Sequence, residues 1–262
     1  MTAGGINAVC FANNHNIDYG IQAYVDTLDT CDRFHLPVSH YDHVIRQEIH
    51  GLTVGIVSAD FTLCADSVGE GYLRKGIADL RRDCNLIIAY IHWGANYKEN
   101  VVPVQKRLGH LCVDLGADLV LGAHPHVLQG AERYKGRYIF YSLGNFCYGG
   151  RSAPKDNDTM IVQATFSFKN GKLIQDADVK AIPCWMSGSG TVNDFSPVIK
   201  TGREGDAIID KINSRSADFN IRFGYDGFPI IDKVDLPEID VSSDIFDERV
   251  PGVIYSLIRG KH

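Results

Sequence analysis

Six residues in three short segments have types and spacings that could do chemistry. Asn14, His15 and Asp18 lie within Ala12-Asn13-Asn14-His15-Asn16-Ile17-Asp18-Tyr19-Gly20, His92 precedes Trp93 at the end of an apolar run, and His124 and His126 bracket a proline in Gly122-Ala123-His124-Pro125-His126. Amide oxygens, imidazole nitrogens and carboxylates are donors for divalent transition metals, and folds gather such donors from distant stretches of chain. Each set directly follows an apolar run that reads as a strand. In an open α/β sheet the carboxyl ends of the strands form one rim, and ligands bind there. Three strands are therefore expected to aim these side chains at a common edge.

Each residue also has a plainer reading. Taken alone, His92 is more ordinarily a hydrogen-bonding residue than a ligand, and it is the recurrence at three strand ends that weighs against this. His124 and His126 stand two apart, so an extended turn would project both to one side and let both reach a metal. Asp18 could orient the ring of His15 or cap the helix expected near Gly20. His35, His40, His43, His50, His110 and His262 have no such context and read as surface or packing residues.

The elements that must position these residues follow from hydropathy. Ile6 to Ala12, Thr53 to Ala59, Leu86 to Ile91 and Leu119 to Leu121 read as buried strands, and Ile21 to Phe34, Glu70 to Arg82 and Val104 to Leu115 as helices. Leu73, Ile77 and Leu80 share one face of the second helix. This βαβ punctuation predicts a largely parallel sheet covered by helices. After Gly130, Arg137 to Tyr141, Met160 to Phe168 and Lys172 to Ile182 read as strands of a second, antiparallel sheet. Asn170-Gly171 between the last two favours a type I′ hairpin. Periodicity weakens past Ser187, and Asp235 to Arg249 is acidic, with Pro237 and Pro251 as breakers. The expected division is a domain over 1–186 and an appendage of loops and short helices over 187–262.

Composition bounds the function. The 262 residues, 45% hydrophobic and 22% charged, can bury a sizeable core. A net charge of -6 without a Lys/Arg cluster argues against a nucleic-acid surface. No signal peptide and no apolar run long enough to span a bilayer is present. The seven cysteines, at 10, 31, 64, 84, 112, 147 and 184, form no CxxC pair and suggest free thiols in a reducing, cytoplasmic setting.

With these residues in hand, the chain resembles the CapA family, the poly-gamma-glutamate capsule biosynthesis proteins of the calcineurin-like metallophosphoesterase superfamily. The resemblance rests on Ala12-Asn13-Asn14-His15, Asp18-Tyr19-Gly20, His92-Trp93-Gly94, Gly122-Ala123-His124-Pro125-His126 and Ser142-Leu143-Gly144-Asn145-Phe146, in that order, and covers roughly residues 5–185. It implies an α/β/β/α sandwich of the metallo-dependent phosphatase type with a two-metal site. Asn14, His92 and His124 would ligate one ion and His126 the other. His15 would protonate the leaving group or steady a phosphoryl oxygen, with Asp18 orienting it. Two cations about 3.5–4 Å apart clamp the oxygens of an in-line displacement in such sites.

Two departures from the family pattern shape the expectations. Its upstream Gly-Asp strand end and Asn-Leu-Glu segment lie outside this sequence, so the domain is expected to be N-terminally incomplete, with an open sheet edge and a tendency to associate. Asn14, His92, His124 and His126 are neutral, so one divalent Mn, Zn or Fe ion is expected to bind more readily than two. Asn96 stands where the family usually has Glu.

The resemblance therefore implies a protein for synthesis or export of an anionic capsule polymer, with a metal-dependent hydrolase site. Its partners would be that polymer or a phosphoester substrate, together with membrane-bound capsule synthesis proteins. Family members commonly face the cell exterior beside the membrane. The alternatives are a phosphoesterase unrelated to capsule and a truncated, non-catalytic scaffold.

Overall fold

The computed structural model describes residues 5–62, 66–150, 152–153, 155–174, 177–230 and 248–254. β1 (Val9–Cys10) leads through the Asn-rich turn into α1 (Gly20–Arg33), and β2 (Val38–Ser39), β3 (Ile45–Ile49) and β4 (Leu52–Asp60) follow. Next come α2 (Asp66–Leu80), β5 (Leu86–His92), α3 (Pro103–Leu115), β6 (Leu119–Ala123), β7 (Ala131–Tyr134) and β8 (Arg137–Phe140). Strands β3 to β8 form one sheet in the order β3-β4-β5-β6-β8-β7. Its four inner strands run parallel and its two edge strands antiparallel. The parallel βαβ part matches the hydropathy reading, but Arg137 to Tyr141, expected in the second antiparallel sheet, supplies β8 as an inner parallel strand of this one because it pairs with β6, and both antiparallel edges went unseen.

β9 (Asp158–Lys169), β10 (Lys172–Leu173), β11 (Asp178–Trp185) and β12 (Val198–Ile199) build the second, antiparallel sheet. α4 (Gly202–Arg215), β13 (Arg222–Phe223) and β14 (Pro229–Ile230) come next, and β15 (Glu248–Ile254) pairs with β9. Three hairpins turn on two residues that both have positive φ: His50-Gly51, Lys135-Gly136 and Asn170-Gly171. Only the last carries the Asn-Gly dipeptide that marks such a turn in a sequence.

Alternation along the strands decides which layer each side chain faces. Val57 and Ala59 of β4, Ile87, Ala89 and Ile91 of β5 and Val120 of β6 pack on Leu73, Ile77 and Leu80 of α2 and Leu108 and Cys112 of α3. The intervening residues, Leu52, Leu86, Ile88, Leu119 and Leu121, face Met160, Val162, Ala164 and Phe166 of β9 and Val179 and Ala181 of β11. Helices, first sheet and second sheet thus stack in the order the resemblance implies. α4 sends Ile208, Ile209 and Ile212 into the core between the sheets. What is described of residues 187–230 therefore shares that core, while the acidic stretch over 235–247 lies outside the described residues. Among the described residues no helix is long and apolar enough to cross a membrane.

The strand expected over Ile6 to Ala12 is reduced to two residues. β1 pairs in parallel with β2 in a separate two-stranded sheet and does not join the large one. Hydrogen bonds tie it on nonetheless: Phe11 N donates to Ser39 O at 2.7 Å, and the hydroxyls of Ser39 and Ser58 stand 2.9 Å apart, linking β2 to β4.

Candidate functional site

The turn after β1 is fixed by its own asparagines. His15 N donates to Asn13 Oδ1 at 2.8 Å, and Asn16 Nδ2 donates to Phe11 O at 3.1 Å and to Tyr41 Oη at 3.0 Å. Short amides that bond nearby backbone hold a turn that no ladder supports. This places Asn14 at the carboxyl end of the parallel strands although β1 is not one of them. Asn14 Oδ1 lies 2.7 Å from His92 Nε2, and His124 Nδ1 lies 3.1 Å from the same nitrogen. Residues from three separated segments thus meet at one point.

A continuous chain of polar contacts runs outward from there. Asn14 Nδ2 donates to His15 Nε2 at 3.1 Å, which leaves the proton of that ring on Nδ1, where it is donated to Asp18 Oδ2 at 2.8 Å. Asp18 therefore orients His15. The alternative role as a helix cap is not taken: α1 begins after Tyr19 with no side-chain cap bond. His15 and Asp18 are exposed, at 63% and 50%, so this end of the chain of contacts is open to an incoming molecule.

His126 takes a different direction. The Gly-Ala-His-Pro-His turn is not extended, because His124 and His126 have φ of 96° and 60°, a region that non-glycine residues seldom occupy. The two rings stand 6.0 Å apart and do not share a partner. His126 Nδ1 donates to Asn145 Oδ1 at 2.7 Å, and its ring contacts those of Tyr97 and Tyr148, with centroids 5.8 and 4.9 Å away. Its Nε2 keeps the lone pair. Backbone strain of this kind persists where the surroundings impose it, and it clusters at functional sites.

Close backbone approach explains the glycine and tryptophan of the motifs. A Cβ on Gly122 would sit 2.1 Å from Tyr141 O and 2.5 Å from Trp93 Nε1. The fully buried Trp93 donates from Nε1 to that same carbonyl at 2.8 Å. The indole thereby links the end of β5 to the chain leaving β8 and holds His92 beside β6.

Burial and crowding favour the neutral form of two of these rings, His92 and His124. The His92 ring is pushed down to about 3, chiefly by burial and then by His124, His126 and His15. His124 is lowered by burial and by His126, while the charge of Asp60 opposes the shift. Neutral imidazole is the form that ligates metals.

Sequence reasoning missed four residues here. Asn145 lies in a recognised motif, but its bond to His126 depends on the path of the chain after β8. Tyr97 and Tyr148 sit on loops with no periodic signal. Asp60 ends β4 immediately after an apolar run, the same context that singled out the histidines, and that signal went unused.

Among the described residues no three His, Cys, Asp or Glu side chains are gathered to hold a metal ion. The convergent set is two histidines and an asparagine. Donor atoms bonded to one cation at about 2.0–2.2 Å stand roughly 3 Å from each other. Asn14 Oδ1 and His124 Nδ1 each stand at about that spacing from His92 Nε2, and the three donors are of the kind that transition-metal ions take.

Comparison with known proteins agrees with the motif reading. The chain is 30% identical over 184 residues to the PGA biosynthesis protein CapA of Bacillus subtilis, which covers 61% of this chain and 47% of that protein. It is 29% identical over 181 residues to the capsule biosynthesis protein CapA of Bacillus anthracis, covering 61% and 44%. The chain thus spans just under half the length of these relatives. A solved structure of a novel phosphatase from Mycoplasma pneumoniae overlaps 62% of this chain and 63% of its own, with 12% identity and a TM-score of 0.33, a likeness too loose to bear on function. The model of the bacterial capsule synthesis protein family PGA_cap matches residues 1–149, more than half of the sequence, and the chain belongs to that family.

Proposed function

We propose that this chain carries the metal-dependent hydrolase site of an accessory protein for synthesis or export of an anionic capsule polymer of the poly-gamma-glutamate type. The observation that carries this reading is the convergence of Asn14 Oδ1, His92 Nε2 and His124 Nδ1 at the rim of the parallel sheet. Asn14, His92 and His124 would hold one Mn, Zn or Fe ion, and the free Nε2 of His126 would face a second. A bound ion would supply Lewis-acid stabilisation of charge on the oxygens of the bond being broken.

The chain's own residues do the remainder. His15, exposed and held through Nδ1 by Asp18, would hand a proton from Nε2 to a leaving group when it carries one there. The Asn14 amide joins the two functions, because one end contacts His92 and the other contacts His15. Tyr97 and Tyr148 pack on the ring of His126, and Asn145 sets its tautomer. Names carried by relatives support the polymer, and the site supports the chemistry.

The test is elemental analysis of the tag-free protein beside a His124→Ala/His126→Ala variant, followed by assay of phosphoester and poly-gamma-glutamate hydrolysis with His15→Ala. One or more equivalents of transition metal, lost in the double variant, are expected, together with turnover that falls at least 100-fold in His15→Ala. Absence of metal after incubation with Mn and Zn would remove this reading and leave a scaffold.

A further inference from the structure

Asp60 presents an anomaly that the six sequence-selected residues do not explain. It is 1% exposed, and its Oδ1 accepts from Thr62 N at 2.8 Å and from Thr62 Oγ1 at 2.6 Å. Its Oδ2 is buried with no hydrogen-bond partner. A buried carboxylate oxygen left uncommitted is costly, and native proteins retain one where something else uses it.

The sheet register says what that could be. Asp60 and His92 are directly paired on the parallel strands β4 and β5, and Phe61 N donates to His92 O at 2.8 Å. Alternate residues of a strand face one side, and paired residues of neighbouring strands share it. Val54 and Ile56 of β4, with Leu86 and Ile88 of β5, face the second sheet, so Asp60 and His92 project on that same side, at the rim. Thr62 holds one carboxylate oxygen and so fixes where the other lies.

The donors identified so far, Asn14, His92, His124 and His126, carry no negative charge. A divalent cation held by neutral ligands alone in a buried site lacks the compensation that a carboxylate gives. We propose that Asp60 is the counter-charge of this site, its uncommitted Oδ2 stabilising a divalent transition-metal ion held by Asn14, His92 and His124. This rests on the metal-site reading above and adds a residue to it. Asp60 acts as a positioning and charge-compensating residue, since it is not gathered with the histidines at ligating distance.

The experiment is isothermal titration of Mn²⁺ and of Zn²⁺ into the metal-free full chain, comparing wild type, Asp60→Asn, Asp60→Glu and His124→Ala, with thermal unfolding of each metal-free form. Asp60→Asn is expected to weaken metal binding by about 10- to 100-fold, the usual cost of losing a partner just outside the ligands. Asp60→Glu, which keeps the charge, should recover most of that loss. The metal-free Asp60→Asn protein should unfold at an equal or higher temperature than wild type, because removing an uncompensated buried charge relieves it. Should the amide variant not fold, Asp60→Ala is measured in its place. If wild type binds metal and the neutral variants bind equally tightly, Asp60 is structural and the proposal falls while the metal site stands. If wild type and His124→Ala both fail to bind, the metal reading and this proposal fall together.

Discussion

Outside the proposed site, the histidine pair at 40 and 43 gives the clearest pH-sensitive contact. His40 is lowered below the ordinary imidazole value by burial and by its neighbour His43, against a weaker opposing effect of Asp42. The rings of Tyr24, Tyr41 and His43 surround it, and its Nδ1 accepts from Tyr24 Oη at 2.7 Å. A histidine whose folded pKa is depressed binds fewer protons folded than unfolded. Its contribution is therefore full above the unfolded value of about 6.5 and is lost as pH falls towards the lower folded value. Thermal unfolding of the wild type is expected to drop more between about pH 7.5 and pH 5 than that of a His40→Gln variant, which cannot gain the proton. Equal drops would show that Tyr24 and His40 do not control this step.

At the scale of elements, the site depends on how tightly β6 can approach the strand beside it. The carbonyl of Tyr141 occupies the place a side chain on Gly122 would need, and Trp93 bonds that carbonyl from the other side. Gly122→Ala must push β6 away from β8 and break the indole bond, at a cost of about 1–3 kcal/mol for overpacking and roughly 1 kcal/mol for the hydrogen bond. A fall of several degrees in the unfolding temperature is expected, with loss of metal binding, because His124 sits two residues along. An unchanged midpoint would mean the strands can part without strain. α3 gives the contrasting case of an element fixed locally. Val102 N donates to Gln105 Oε1 at its start, Pro103 occupies the first turn, and Gly116 closes it at φ 114°. Pro103 and Gly116 are local signals of its two ends, and the helix runs within one residue of where hydropathy placed it.

For the whole molecule, the question is where the chain divides. A boundary at 186 would detach α4, whose Ile208, Ile209 and Ile212 are at most 1% exposed against the two sheets. Each buried side chain of this size contributes about 1.5–3 kcal/mol, and together they match much of the roughly 5–15 kcal/mol that stabilises a domain. Arg215 adds a bond from its guanidinium to Leu128 O, and Ser216 Oγ accepts from Ala131 N. A chain ending at 186 is expected to aggregate or to unfold without a cooperative transition. A soluble 1–186 fragment with a sharp unfolding curve would establish the division there.

The sequence by itself determined the elements that hydropathy and turn chemistry specify locally: the parallel strands, their helices, the Asn170-Gly171 hairpin, and the placing of Asn14, His92 and His124 at strand ends. A strand end faces the same rim in any sheet of this class, so His92 and His124 could be assigned to one edge before their contacts were known, whereas Asn14 follows a strand that stands outside that sheet. Only the tertiary structure decided the rest. That Asp18 orients His15 and does not cap α1, that His126 turns away to Asn145, and that β1 stands apart from the large sheet all depend on neighbours distant in sequence. Asp60 shows the reason most clearly. Its residue type was visible, but an uncommitted oxygen is a property of everything packed around it, and no local pattern in the chain records what fails to reach a buried atom.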